Sequence, residues 1–361
     1  MQPQTRTPWL RRMLKPLLLL AALVAVAVTV LQCSRTDPPP PAWTEADLPT
    51  VALGNNGWVV ANEAAVVSAE LDSVSSLQSL MQALRGPEAQ LERAVVWATV
   101  GNVEAELEVV LEEPPGADLL AAWHRAAAAR QYADGCPLTI ERDCNHVGLL
   151  SLHRLALVEA LHRGAQGDWD AGLRISADLV RMSGEYLATA HGVLAGVVAV
   201  RAVHEALTVA DLMLWKHDVR THGGLAQRTA LRAAIDAMGT DHRVLRHTVI
   251  GEYLVARTMV DAMSQEATAT QLFDRGATLA SVDRIFEALM RSVVSDGVQF
   301  ERPQSDCNHW KGKVFNSTGC MVLELLPGPE MIASRLTGVR DELDAIDQRR
   351  RALLARTEPT P

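Results

Sequence analysis

Along most of this chain the apolar side chains return every third or fourth position, which gathers them on one face of an α-helix. The densest case is 145–215. Leu149, Leu152, Leu155, Ala156, Val158 and Leu161 form one stripe, and Arg154, Glu159, His162 and Arg163 mostly fall off it. Gly164 and Gly167 weaken that helix, and Asp168 caps the next one. The second helix turns Trp169, Leu173, Ile175, Ala177, Leu179 and Val180 towards apolar partners, and its pattern runs out near Ser183 and Gly184. A third helix, 187–215, is apolar on most sides (Leu194, Val197, Val198, Val200, Val203, Leu207, Leu212, Leu214), as expected of a helix buried in a larger protein. Gly192 and Gly196 on it leave room for a neighbouring backbone.

The same spacing predicts helices over 58–85, 88–112, 119–130, 225–238, 242–263 and 330–356, with one or two more within 267–298. Gly86-Pro87, Pro114-Pro115-Gly116 and Gly239 separate them. Strand signals are few, and 137–141 is at most a short extended piece. The expected fold is therefore all-α. It is one body of about ten helices over 51–356, built as a multi-helix bundle or as irregular helical hairpins, with a tail at 357–361 that frays.

The junction Gly167-Asp168-Trp169-Asp170-Ala171 resembles the turn inside a tetratricopeptide repeat, where a Gly-Asp-aromatic turn and a small residue let two antiparallel helices pack. Gly172 fills the small position, with Ala160 facing it. The resemblance covers one unit of about 34 residues and implies an antiparallel helix pair.

The N-terminus has a different grammar. Arg6, Arg11, Arg12 and Lys15 precede an uncharged apolar run inside 16–33, so residues 1–15 read as a basic n-region that stays in the cytoplasm and the rest as lying beyond the membrane. Three fates fit the run: a retained signal anchor, a cleaved secretory signal, or a lipoprotein signal. Val30-Leu31-Gln32-Cys33 resembles the box in which a bacterial lipoprotein's cysteine is lipidated, with Gln32 where Gly, Ala or Ser is usual. Residues 34–50, with four prolines at 38–41, read as an extended tether.

With 361 residues the chain has room for one large domain or two small ones. Aromatics are only 4% of it, so Ala, Leu and Val fill the helix contacts. A formal charge of −9 argues against a general nucleic-acid binder. An exported body changes the meaning of the cysteines. Apart from Cys33 there are four, Cys136, Cys144, Cys307 and Cys320, in the least helical parts of the body. Oxidation outside the cytoplasm favours disulfides. Of three connectivities the simplest joins Cys136 to Cys144 and Cys307 to Cys320, while a crossed pairing would bring the two loops together. Each loop carries the same tetrapeptide, Asp143-Cys144-Asn145-His146 and Asp306-Cys307-Asn308-His309. The alternative chemistry is a zinc shell of Cys144, His146, Cys307 and His309. Asp143 and Asp306 read more simply as caps. The sequence holds no His-Glu-x-x-His, Gly-x-Ser-x-Gly, phosphate-binding glycine loop or Ser-x-x-Lys.

The run Phe315-Asn316-Ser317-Thr318-Gly319, an apolar segment, Pro327 and a charged helix are similar to the C-terminal part of uncharacterised bacterial membrane-anchored helical proteins. That resemblance implies an exported, single-anchor helical body and no known activity. The expectation is a non-catalytic scaffold or protein-interaction module of a bacterial envelope, membrane-tethered on the periplasmic side, with an envelope protein as partner and no cofactor. A metal-dependent protein or enzyme using the paired Cys/His loops and a binder of a small apolar ligand or lipid are the alternatives.

Overall fold

The computed structural model describes residues 22, 36–52, 54–68, 75–84, 93–139, 144–218, 222–240, 242–266, 273–295, 299–304, 306–309, 316–326 and 328–356. The n-region, the apolar run except Ala22, Cys33, Asp143, Phe315 and the tail 357–361 lie outside them. The named elements are helices: α1 (Gly57–Ser68), α2 (Ser75–Leu84), α3 (Arg93–Asn102), α4 (Glu104–Glu112), α5 (Gly116–Ala127), α6 (His146–Ala165), α7 (Trp169–Thr189), α8 (Val193–Lys216), α9 (Leu225–Ala237), α10 (Arg243–Glu266), α11 (Arg275–Val294), α12 (Ser317–Leu325) and α13 (Pro329–Arg356). Short 3-10 turns occupy Glu45–Asp47 and Asp306–Asn308. Among the described residues there is no strand, only an isolated bridge between Asn56 and Gln131. The fold is all-α.

The chain forms two compact units. The larger comprises 43–255, 286–301 and 328–361, and the smaller 1–42, 256–285 and 302–327.

In the larger unit α6, α7 and α8 pack on one another. Around them α1 lies on α6, α9 on α7 and α13 on α8. Leu152, Leu155, Leu161, Leu173, Leu179, Leu207 and Met213 are at most 1% exposed. The caps fit the side chains at the helix starts. Asn145 Oδ1 accepts from Gly148 N–H (2.8 Å) and Asp168 Oδ1 from Ala171 N–H (3.2 Å). Helix α8 is long and apolar enough to cross a membrane, but 72% of its apolar window is buried, which is the packing of a central helix.

Gly172 sets how closely these helices approach. A methyl group there would lie 2.6 Å from Met213 Cε and 2.9 Å from Ala160 O. At the penultimate residue of α6, a methyl on Gly164 would lie 3.1 Å from the Trp97 ring and 3.2 Å from the same Met213. The facing of Gly172 and Ala160 expected from the sequence is therefore present.

Several boundaries differ from the sequence reading. Helix α7 does not end at Ser183–Gly184. Ser183 Oγ donates back to Leu179 O (2.7 Å) inside the helix, and Gly184 gives room for Met238. The chain breaks instead at Gly192, whose φ of 120° suits a residue without Cβ. The 88–112 helix is interrupted at Val103: Gly101 and Asn102 are weak helix formers, and Glu104 and Glu106 open a new first turn where acidic residues are favoured. The 58–85 helix is described as α1 and α2.

The core of the larger unit is not wholly apolar. Glu205, 3% exposed, accepts from Arg154 at 3.0 and 2.9 Å and from Arg201 at 2.7 Å. Burial would raise its carboxyl, but the Arg154 hydrogen bonds and charge, with Arg201, hold it below the usual range. Nearby His153 donates from Nε2 to Ala202 O (3.1 Å), and burial pushes its pKa down to about 4.

The smaller unit is tied by polar contacts. Arg257 pairs with Asp283 at 2.7 Å and Arg275 with Asp261 at 2.7 Å. Asn316 Oδ1 accepts from Asp274 N–H (2.8 Å), and its Nδ2 donates to Thr278 Oγ1 (3.0 Å). The described part of the proline segment is not a bare spacer. Thr36 N–H donates to Asp274 (3.2 Å), and Arg257 donates to Pro39 O (3.1 Å), since prolines leave their carbonyls free to accept. In the larger unit Trp43 stands edge-on to Tyr253, ring centroids 5.0 Å apart.

Gly172→Val is expected to lower stability by about 1–3 kcal/mol through overpacking, read as a lower urea midpoint; an unchanged midpoint would mean the crossing can relax. The folded His153 ring takes its proton near pH 4 and the unfolded ring near 6.5. The folded state therefore holds this stability above pH 6.5 and loses it, about 3 kcal/mol in full, as pH falls towards 4. Urea midpoints at pH 7, 5.5 and 4 should show that loss, and His153→Gln should flatten it.

Candidate functional site

The loop before α6 brings Cys136 and Cys144 to disulfide distance, with Cα atoms 6.0 Å apart. Cys136 is 5% exposed. Two side chains, Asp134 and His191, hold it there. Asp134 Oδ1 accepts from Cys136 N–H (3.0 Å), and Asp134 Oδ2 accepts from His191 N–H (3.2 Å). His191 closes the ring from the other side, with Nε2 2.7 Å from Cys136 O and Nδ1 3.2 Å from Thr189 O. Asp134 is only 1% exposed, so a buried carboxylate anchors both the cysteine loop and the break between α7 and α8.

His146 begins α6 on the other side of Cys144. Its Nδ1 is 2.7 Å from Tyr186 Oη, and its ring is stacked on Tyr186, 6.4 Å between centroids. Burial raises the Tyr186 and Tyr132 phenols, so both remain protonated and able to donate. The sulfurs of Cys136 and Cys144 and a His146 ring nitrogen lie within 4.8 Å of one another, the one such group of three among the described residues. Its chemistry depends on oxidation. Reduced, the two thiolates and the imidazole would offer three of the four ligands of a tetrahedral zinc. Joined as a disulfide, the sulfurs offer no thiolate.

In the smaller unit Cys307 and Cys320 stand at disulfide distance as well, Cα atoms 5.5 Å apart. Cys307 sits in the Asp306–Asn308 turn and Cys320 in α12. The four residues of the zinc alternative are thus divided: Cys144 and His146 join Cys136 in the larger unit, and Cys307 and exposed His309 belong with Cys320 in the smaller.

The asparagines of the two tetrapeptides are placed differently. Asn145 is the N-cap of a 20-residue helix and donates to Ala65 O (2.9 Å), whereas Asn308 ends a three-residue turn and is exposed. The cap of α6 is Asn145, because its side chain is the one that reaches Gly148 N–H. The sequence reading missed Asp134 and His191. They lie 57 positions apart, and no local spacing joins them.

No protein-family model matches this chain, and neither a curated protein nor a solved structure matches it.

Proposed function

We propose that this chain is a non-catalytic, membrane-tethered helical body of a bacterial envelope, acting outside the cytoplasm as a scaffold or protein-interaction module. The observation that carries the reading is the local arrangement of the cysteines: two pairs at disulfide distance, separated by 8 and 13 residues, each inside one compact unit. Such staples form and persist in oxidising compartments and are rare in the cytosol. Closing loops this short stabilises the fold by about 3 kcal/mol each in the chain-entropy model. The basic and apolar pattern at the N-terminus supplies the tether.

The surroundings of Cys136 favour a structural role over a catalytic one. Asp134 and His191 spend their polar atoms on main-chain groups of the loop and of the α7–α8 break, and so tie the two together. The second reading is a zinc protein, favoured by the Cys136, Cys144 and His146 cluster alone.

Intact mass of the chain purified from bacterial membranes in detergent, before and after reduction and alkylation, separates the two, with zinc measured on the same sample. Four thiols that label only after reduction, with no zinc, are expected. Free thiols with one zinc per chain would sink the scaffold reading. Alkaline phosphatase fused after Pro361 should be active in bacterial cells, and an inactive fusion would remove the body from the periplasm.

A further inference from the structure

Arg93, Asp211, Trp215, Arg228 and Arg356 line a concave pocket of about 270 Å³ in the larger unit, over an apolar floor of Leu214 and Leu353. The charges in it do not balance. Arg93 is committed to Asp211, with Nε at 3.1 Å and Nη2 at 2.9 Å from the carboxylate. Arg356 reaches the same carboxylate more loosely, at 3.5 Å, and its side chain is 61% exposed. Arg228 meets no carboxylate among the described residues. Its Nη1 donates to His217 O (3.1 Å) and Leu214 O (3.4 Å), both main-chain groups. The pocket thus holds three guanidiniums and one carboxylate, which Arg93 and Arg356 share, in a chain whose formal charge is −9. A guanidinium offers a fork of donors that matches carboxylate or phosphate oxygens, and an exposed or loosely paired one keeps that fork available.

Trp215 adds a second observation. It is 50% exposed, while Trp58, Trp123 and Trp169 are buried. The Arg93 guanidinium stands over its ring, 6.0 Å from the centroid, and the exposed half of the indole lies at the rim of the positive pocket. A volume of about 270 Å³ suits one small molecule, and the acidic remainder of the chain disfavours an extended polyanion.

The geometry points to a binding site for a small phosphomonoester carrying a flat ring: the phosphate between Arg228 and Arg356, the ring on Trp215. This inference is independent of the scaffold reading and of the state of the cysteines. The phosphate could come free in solution or as the headgroup of a lipid, and the same arginines would take either.

The test is calorimetric titration of the full-length chain in detergent, disulfides intact, with phenyl phosphate, inorganic phosphate and short-chain dihexanoyl phosphatidic acid. Phenyl phosphate is expected to bind at one saturable site, about tenfold tighter than inorganic phosphate, weakening with salt. Arg356→Gln, an exposed change that leaves the fold in place, should weaken binding about tenfold. Trp215→Ala should bring phenyl phosphate down to inorganic phosphate. Tighter binding of the phosphatidic acid, with the same dependence on Arg356, would support the site and assign its phosphate to a headgroup. No saturable binding of any of the three, or binding undiminished in a folded Arg356→Gln protein, would overturn the proposal.

Discussion

At Gly172 two helices come so close that a single methyl group would meet the Ala160 carbonyl 2.9 Å away and the end of Met213 2.6 Å away. Met213 belongs to a third helix and also rests on Gly164 of the first. One flexible side chain therefore fills the space left by two absent ones, and α6, α7 and α8 lock at a common point. Interiors are packed too tightly for this space to be traded freely, since an added group must displace neighbours rather than enter a void. The outer helices α1, α9 and α13 each rest on a member of this trio, so their docking presupposes its spacing.

Polar groups inside the same core add direction to that packing. Glu205 with Arg154 and Arg201 holds α6 to α8, and Asp134 with His191 holds the cysteine loop to the α7–α8 break. Each buried carboxylate has partners, as burial requires if the charge is to remain. The consequence is a body that favours neutral pH. His153 must take up a proton in a dry site when acidified, and Glu205 loses its ion pairs once protonated. The local cysteine pairs fit the same picture, because each pins a loop where helical hydrogen bonding is interrupted.

Much of the α-helical frame was legible because it rests on spacing. The stripe from Leu149 to Leu161, the Asp168 cap and the pairing of Gly172 with Ala160 all follow from residues a few positions apart. Where the reading stopped α7 at Ser183–Gly184, local propensity pointed one way and packing the other: Ser183 found a carbonyl within its own helix, and Gly184 served the approach of Met238. The two identical tetrapeptides show the limit of local sequence. Identity of sequence did not carry identity of structure, since Asn145 caps a long helix beside Ala65 and Asn308 lies exposed at the end of a short turn. The Asp134–His191 pair and the arginines around Asp211 were invisible in principle, because positions 93, 211, 228 and 356 meet only after folding.

The central claim is that α6, α7 and α8 are the cooperative heart of the larger unit. Native-state hydrogen exchange of the full chain tests it directly, read amide by amide against the unfolding free energy from urea. The account predicts that the slowest amides lie on all three helices and open only with global unfolding. If α6 or α7 instead exchanged through a cheaper local opening while an outer helix stayed protected, the glycine crossing would not be what the rest of the structure depends on.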